Sequence, residues 1–156
     1  MCDVVGSIMV KMGFNEPKLA KTYNNRRERA EVGGKICNFR SQLEKRVAEI
    51  LELQKISKHI KDWEYETHTF TFPDDKWLID FVVRENDDSF YYIEAKGHFE
   101  ARDRRKLKLL AKYRPEVRVL YIMQSRRDIK RMGLVGKKYL TWRKPITISD
   151  FKGSLK

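Results

Sequence analysis

Residues 76–97, KWLIDFVVRENDDSFYYIEAKG, decide the fold. KWLIDFVV (76–83) and FYYIEAKG (90–97) are rich in aromatic and β-branched residues, and ENDDS (85–89) between them is a turn cluster, so the stretch predicts two paired strands. A hairpin centred near residue 87 sets Asp80 opposite Glu94. Lys96, two residues further on, projects from the same face as Glu94 because strand side chains alternate.

Asp80 is flanked by Trp77, Leu78, Ile79, Phe81, Val82 and Val83, where an ionised carboxylate is costly unless compensated. Two carboxylates directly across a strand pair repel, and a divalent cation between them reverses that penalty. The pattern D-x13-E-x-K therefore supplies oxygen ligands from Asp80 and Glu94, with the backbone carbonyl of Ala95 as a further candidate. Such a set suits a hard cation, Mg²⁺ with Mn²⁺ able to substitute. Lys96 can hold an attacking water or offset charge developing on a phosphate. The competing reading is an edge hairpin whose acids face water, with Lys96 as a salt-bridge partner.

Upstream, Leu43, Val47, Ile50, Leu51 and Gln54 recur at helical spacing and predict an amphipathic helix from about residue 41 into the middle fifties. Ser41 followed by Glu44 is a capping-box signature, and Glu44 also lies on the inward face. Capping and contact with metal or water are equally open to Glu44 on these grounds. THTFTF (67–72) reads as a strand closed by Pro73-Asp74-Asp75, residues 101–114 as a basic helix ending before Pro115, and VRVLYIM (117–123) as a buried strand. Ser125 with Asp128 marks the start of a short helix. The expected architecture is α/β: a mixed sheet flanked by helices, with 67–97 an antiparallel meander and 117–123 added after a helical crossover. Residues 1–38 read as a basic, partly mobile N-terminal arm, with a short helix near its start, and 39–156 as the functional domain.

The chain of 156 residues carries a net charge of +12, unevenly spread. Residues 64–100 hold ten acidic and three basic side chains, and residues 101–156 hold eighteen basic and four acidic. A basic surface of this size attracts polyanions, nucleic acid above all, while an acidic middle has no use in a protein that only holds phosphate. Two cysteines without a CxxC motif suit a reducing cytoplasm, and no apolar run approaches the ~18 residues of a membrane span. Arg102, Arg104, Arg105, Lys106 and Lys108, directly after the ExK strand, are candidate DNA contacts, joined by Arg40, Arg126, Arg127, Lys130 and Arg131. Trp63, Trp77, Trp142, Tyr91 and Tyr92 read as core, and His98 as a loop histidine.

The blocks FRSQLEKRV (39–47), WEYETHTFTFP (63–73), WLIDFVV (77–83), YYIEAKG (91–97), DRRKLKLL (103–110), RPEVRVLYIMQSR (114–126) and KYLTW (138–142) resemble, in order and spacing, endonuclease I of tailed phages. That family comprises Holliday-junction-resolving nucleases of the PD-(D/E)XK, restriction-endonuclease-like superfamily. The resemblance covers roughly residues 39–150; the arm before Phe39 is longer than in the family and the region after Trp142 matches poorly. It implies a metal-dependent endonuclease that resolves branched DNA with paired nicks, acting in the cytoplasm of a bacterial host if phage-encoded. It implies that Asp80, Glu94 and Lys96 are catalytic and that Glu44 is the helix-borne acid of the same site. It further implies an intertwined homodimer in which Glu44 serves the partner's site. The alternatives are a non-catalytic architectural nucleic-acid-binding protein and a superfamily nuclease acting on linear duplex.

Overall fold

The computed structural model describes residues 26–154. Strands β1 (Glu28–Val32) and β2 (Lys35–Phe39) precede helix α1 (Gln42–Ile56). Strands β3 (Asp62–Tyr65), β4 (Thr69–Phe72), β5 (Asp75–Leu78), β6 (Phe81–Arg84) and β7 (Phe90–Lys96) follow. Helix α2 (Ala101–Tyr113) leads to β8 (Val119–Met123), α3 (Arg126–Lys138), β9 (Ile146–Thr147) and α4 (Ile148–Gly153). The protein is mixed α/β, with a five-stranded sheet in the order β3-β6-β7-β8-β9 flanked by helices. Pairing is antiparallel from β3 to β7 and parallel from β7 to β9, with α2 as the crossover between β7 and β8.

One face of the sheet, carrying Phe81, Val83, Ile93, Leu120 and Ile122, packs on Leu43, Val47 and Leu51 of α1 and on Phe151 of α4. The other face carries Tyr121 and Met123 and packs on Leu107 and Leu110 of α2, Met132 of α3, and Phe70, Phe72 and Trp77. Among the described residues no helix is long and apolar enough to cross a membrane.

The hairpin register matches the expectation: Phe81 pairs with Ile93, Val82 with Tyr92 and Arg84 with Phe90. One strand expectation is corrected. Residues 76–83 do not form a single strand; they part at Ile79-Asp80 into β5, which pairs β4, and β6, which pairs β3 and β7. The cause lies on the opposite strand. Between Tyr65↔Phe81 and Thr69↔Leu78 three residues face two, so one extra residue sits at 66–68. Glu66 takes a positive φ of 52° there, and its N–H donates to the Asp80 carbonyl at 2.8 Å. This is a β-bulge, which bends the ribbon and ends the regular ladder. Asp80 therefore occupies the bend, not the interior of a strand.

The reading of residues 1–38 as an arm is also amended. Residues 28–39 form an antiparallel hairpin whose turn, Gly33-Gly34, has φ values of 59° and 76°, the twist that two-residue hairpin turns require. Val32 and Phe39 join the core beneath α1. A Cβ at Gly33 would fall 2.1 Å from the Glu52 side chain, so the bare glycine permits the close approach to α1. The short helix expected near the chain start lies outside the described residues. Helix α3 is longer than expected, with a break at Gly133 (φ 68°). The meander expected over 67–97 is corrected as well: β4 pairs only β5, and β3, absent from the sequence expectation, takes the sheet edge beside β6. β9 and α4, likewise not expected, add a fifth strand and a helix capped by Thr147 and Asp150.

Candidate active site

The C-terminal end of β7, the bulge and the first turns of α1 and α2 surround a cleft of about 1000 Å³. Asp80, Glu94 and Glu44 all line it, and all are buried. Asp80 Oδ2 accepts the backbone N–H of Ala95 at 2.8 Å, which locks the carboxylate across from β7 just beyond the last paired residue. Glu94 Oε2 accepts the indole N–H of Trp77 at 3.2 Å, and Glu94 Oε1 meets Lys96 Nζ at 3.1 Å. Burial, and then the facing charges of Glu94 and Glu44, push the Asp80 carboxyl well above its ordinary value. Burial likewise raises Glu94, against the lowering influence of Lys96 and Lys106. These are carboxylates whose ionised state lacks a positive partner in proportion to its cost.

Lys96 is held on both sides, by Glu94 and by Asp103 Oδ1, each at 3.1 Å. Burial opposes its charge, but Glu94, Asp103 and Asp80 outweigh that and keep the ammonium above the usual lysine range.

Asp103 escaped the sequence reading because it sits alone in the basic run ARDRRK; its position three residues after Glu100 at the start of a helix was the available signal. Its second oxygen accepts the Glu100 N–H at 2.9 Å, so one buried side chain ties the start of α2 to Lys96. Asp103→Asn can keep the cap while losing the charge. We expect little loss of stability from it, whereas Asp103→Ala should cost about 1 kcal/mol from the cap. Thermal melts of both variants beside wild type check this, and equal melting temperatures for Asp103→Asn and Asp103→Ala would mean that Asp103 does not cap α2.

Glu44 is committed locally. Its Oε1 accepts from the Ser41 hydroxyl at 3.0 Å, and Oε2 accepts from the Tyr65 hydroxyl at 2.5 Å and the Arg40 N–H at 2.9 Å. Ser41 in turn caps the Glu44 N–H at 3.2 Å. Capping and a place on the cleft wall thus coexist, and within the single chain Glu44 faces its own Asp80. Among the described residues no three His, Cys, Asp or Glu side chains converge as a metal cage. Asp80 and Glu94 are a two-carboxylate set, with Ala95 on the same wall.

The cleft has an acidic floor and a basic rim. Glu44, Asp80, Glu94, Asp103 and Asp128 are buried, whereas Arg27, Arg40, Arg46, Arg102, Arg127 and Arg131 are exposed. Of the expected DNA contacts, Arg40, Arg102, Lys106, Arg127 and Arg131 line this cleft; Arg104, Arg105, Lys108, Arg126 and Lys130 do not. Arg105 reaches toward Asp75 (3.7 Å), Lys108 lies over the Tyr139 ring (5.6 Å), and Arg126 faces Asp150 (4.0 Å). Arg40 is partly engaged, paired with Glu66 and 3.5 Å from Asp80. Arg27 and Arg46 were not anticipated. His98 lies on the wall, with Arg131 3.4 Å from its Nδ1. No family model, no curated protein and no solved structure matches the chain.

Proposed function

We propose that the chain is a divalent-metal-dependent DNA endonuclease with a restriction-endonuclease-like catalytic core, active on four-way and other branched junctions as an intertwined homodimer. The observation that carries this reading is the pairing of two buried carboxylates, Asp80 and Glu94, with Lys96 at the floor of a cleft rimmed, among the described residues, by six exposed arginines. The block order resembling phage endonuclease I supports it. Acidic floor and basic rim serve different ends: the arginines attract phosphates, while the acids repel them unless a cation intervenes.

Two carboxylates, with no third converging among the described residues, fit Mg²⁺ or Mn²⁺, since Mg²⁺ is usually held by one or two carboxylates and keeps several waters. When bound by Asp80 and Glu94, the ion would supply Lewis-acid polarisation of a phosphoryl oxygen and a more acidic water. The protein's own groups do the remainder. Ala95 N–H and Trp77 N–H orient the two carboxylates, and Lys96, steadied by Asp103, faces the charge that builds on the phosphate. Rim arginines reading only sugar and phosphate make binding insensitive to base sequence and steeply salt-dependent.

A second reading, a non-catalytic architectural DNA-binding protein, is favoured by one observation. Arg40 stands 3.5 Å from Asp80 and Lys96 is closed between two acids, so the chain's own cations already balance part of the cluster.

The test is incubation with four-way and linear DNA of matched length, with and without Mg²⁺, joined to a competition assay at near-physiological salt. A junction engages the basic surfaces of both subunits at an angle that straight DNA reaches only by bending, so we expect about tenfold preference for it and paired nicks about the branch point. Cleavage with equal affinity for both DNAs leaves a general nuclease. Binding without Mg²⁺- or Mn²⁺-dependent cleavage of any DNA leaves the architectural protein.

A further inference from the structure

We propose that Lys106 is a second catalytic lysine, whose ammonium seats a non-bridging oxygen of the phosphate under attack. The inference rests on the nuclease reading for the identity of the phosphate, but the anion seat itself stands on geometry. Among the described residues eight cationic side chains line the cleft, and of these only Lys96 and Lys106 are withdrawn from solvent. Lys96 is closed by Glu94 and Asp103 at 3.1 Å each, so its charge is already shared between two anions. Lys106, 8% exposed, has no such partner: among the described residues no carboxylate lies within salt-bridge distance of it.

What Lys106 does touch is the Trp77 ring, 5.4 Å from Nζ to centroid. The same indole donates its N–H to Glu94. One ring therefore braces both a metal-ligand candidate and a lysine beside it. Lys106 also lies one turn beyond Asp103 and Arg102 on α2, the spacing that puts all three on the cleft side of the helix. A buried ammonium that no carboxylate contacts directly is costly, and a phosphate oxygen entering the cleft supplies the contact it lacks. The exposed arginines position the DNA at the rim, and Lys106 acts at depth on the reacting group.

The test uses the full chain with Lys106→Met, which keeps the stem on Trp77, Lys106→Arg, and Lys112→Met as an exposed control on the same helix. For Lys106→Met we expect single-turnover cleavage slowed at least about tenfold, with DNA affinity within about threefold of wild type, partial recovery in Lys106→Arg, and no change in Lys112→Met. A second readout needs no cleavage: orthophosphate titrated into metal-free protein, followed by NMR at the Trp77 indole N–H. Wild type should show a saturable shift, with affinity falling about tenfold in Lys106→Met, or in Lys106→Gln should the methionine variant fail to fold. If wild type cleaves no DNA, the nuclease reading falls, and the phosphate titration alone decides whether Lys106 is an anion seat. Unchanged phosphate affinity, or weaker DNA binding with an unchanged rate on bound DNA, overturns the proposal.

Discussion

Asp80→Asn is expected to slow cleavage a hundred- to a thousandfold, on the order of what one electrostatic element of a phosphoryl-transfer site contributes, while making the metal-free protein more stable. The second half follows from the burial of the carboxylate. Asp80 is 4% exposed, and its carboxyl is raised by burial and then by Glu94 and Glu44. A carboxyl raised in the folded state binds protons more tightly there than in the unfolded chain. Its favourable contribution is complete below the unfolded value, about 3.9 for Asp, and is lost as pH rises through the folded value. The metal-free wild type should therefore lose stability from about pH 4 upward as Asp80 and Glu94 ionise against each other. An asparagine can still accept the Ala95 N–H but carries no charge, so the variant should show a shallower decline and the higher melting temperature at pH 8. Mg²⁺ should restore wild type at pH 8 and do little for Asp80→Asn. Melting curves across pH in chelator, repeated with MgCl₂, make the comparison. A stability slope identical in both proteins would mean that Asp80 is not the strained acid inferred here, and full cleavage by the variant would discard its catalytic role.

Much of this site is legible in the sequence because two constraints agree there. The apolar alternation of residues 76–83 and 90–96 and the ENDDS turn between them select one register, and that register sets Asp80 opposite Glu94. Ser41 and Ser125 mark helix starts for the same reason: each hydroxyl accepts an N–H three residues on.

The bend at Asp80 is not legible from its own strand, where the apolar pattern runs on unbroken. The extra residue lies across the ribbon at 66–68 and becomes visible only once the pairing is known. The basic run after β7 misleads differently. Read as a block, all five of its cations face the DNA, but helical geometry turns each residue by about 100°. Arg102 and Lys106, four apart, share the cleft side with Asp103, and Arg104, Arg105 and Lys108 point elsewhere. The VGGK turn of the β1–β2 hairpin carries the glycines of a hairpin turn, but its mostly polar flanks read as a continuous basic arm. Only Val32 and Phe39 of that hairpin are buried.

Trp77 joins fold and chemistry most tightly, and its substitution should have the largest effect on stability. The side chain is fully buried, 5.9 Å from the Phe70 ring and 6.3 Å from Tyr121, and it fixes the β4–β5 ribbon to the sheet face that carries Glu94. Trp77→Ala should cost about 3–5 kcal/mol by removing buried contact area and leaving a cavity. That is a large share of the roughly 5–15 kcal/mol typical of a domain. Trp77→Phe separates packing from hydrogen bonding. The ring remains, but Glu94 Oε2 loses its indole donor in a site where burial already penalises the charge. Losing one hydrogen bond to a buried charged acceptor should cost about 1.5–3 kcal/mol in metal-free protein. A bound divalent ion, by taking up the freed oxygen, should recover part of that. The phenylalanine variant should accordingly fold, melt lower, and respond more strongly to Mg²⁺ than wild type. Its cleavage should also slow, because the carboxylate is no longer held in place. Denaturant unfolding with and without Mg²⁺, beside single-turnover rates, checks these outcomes together. If Trp77→Phe matches wild type in Mg²⁺ response and rate, the indole only fills the core, and Glu94 is oriented by its own strand and by Lys96.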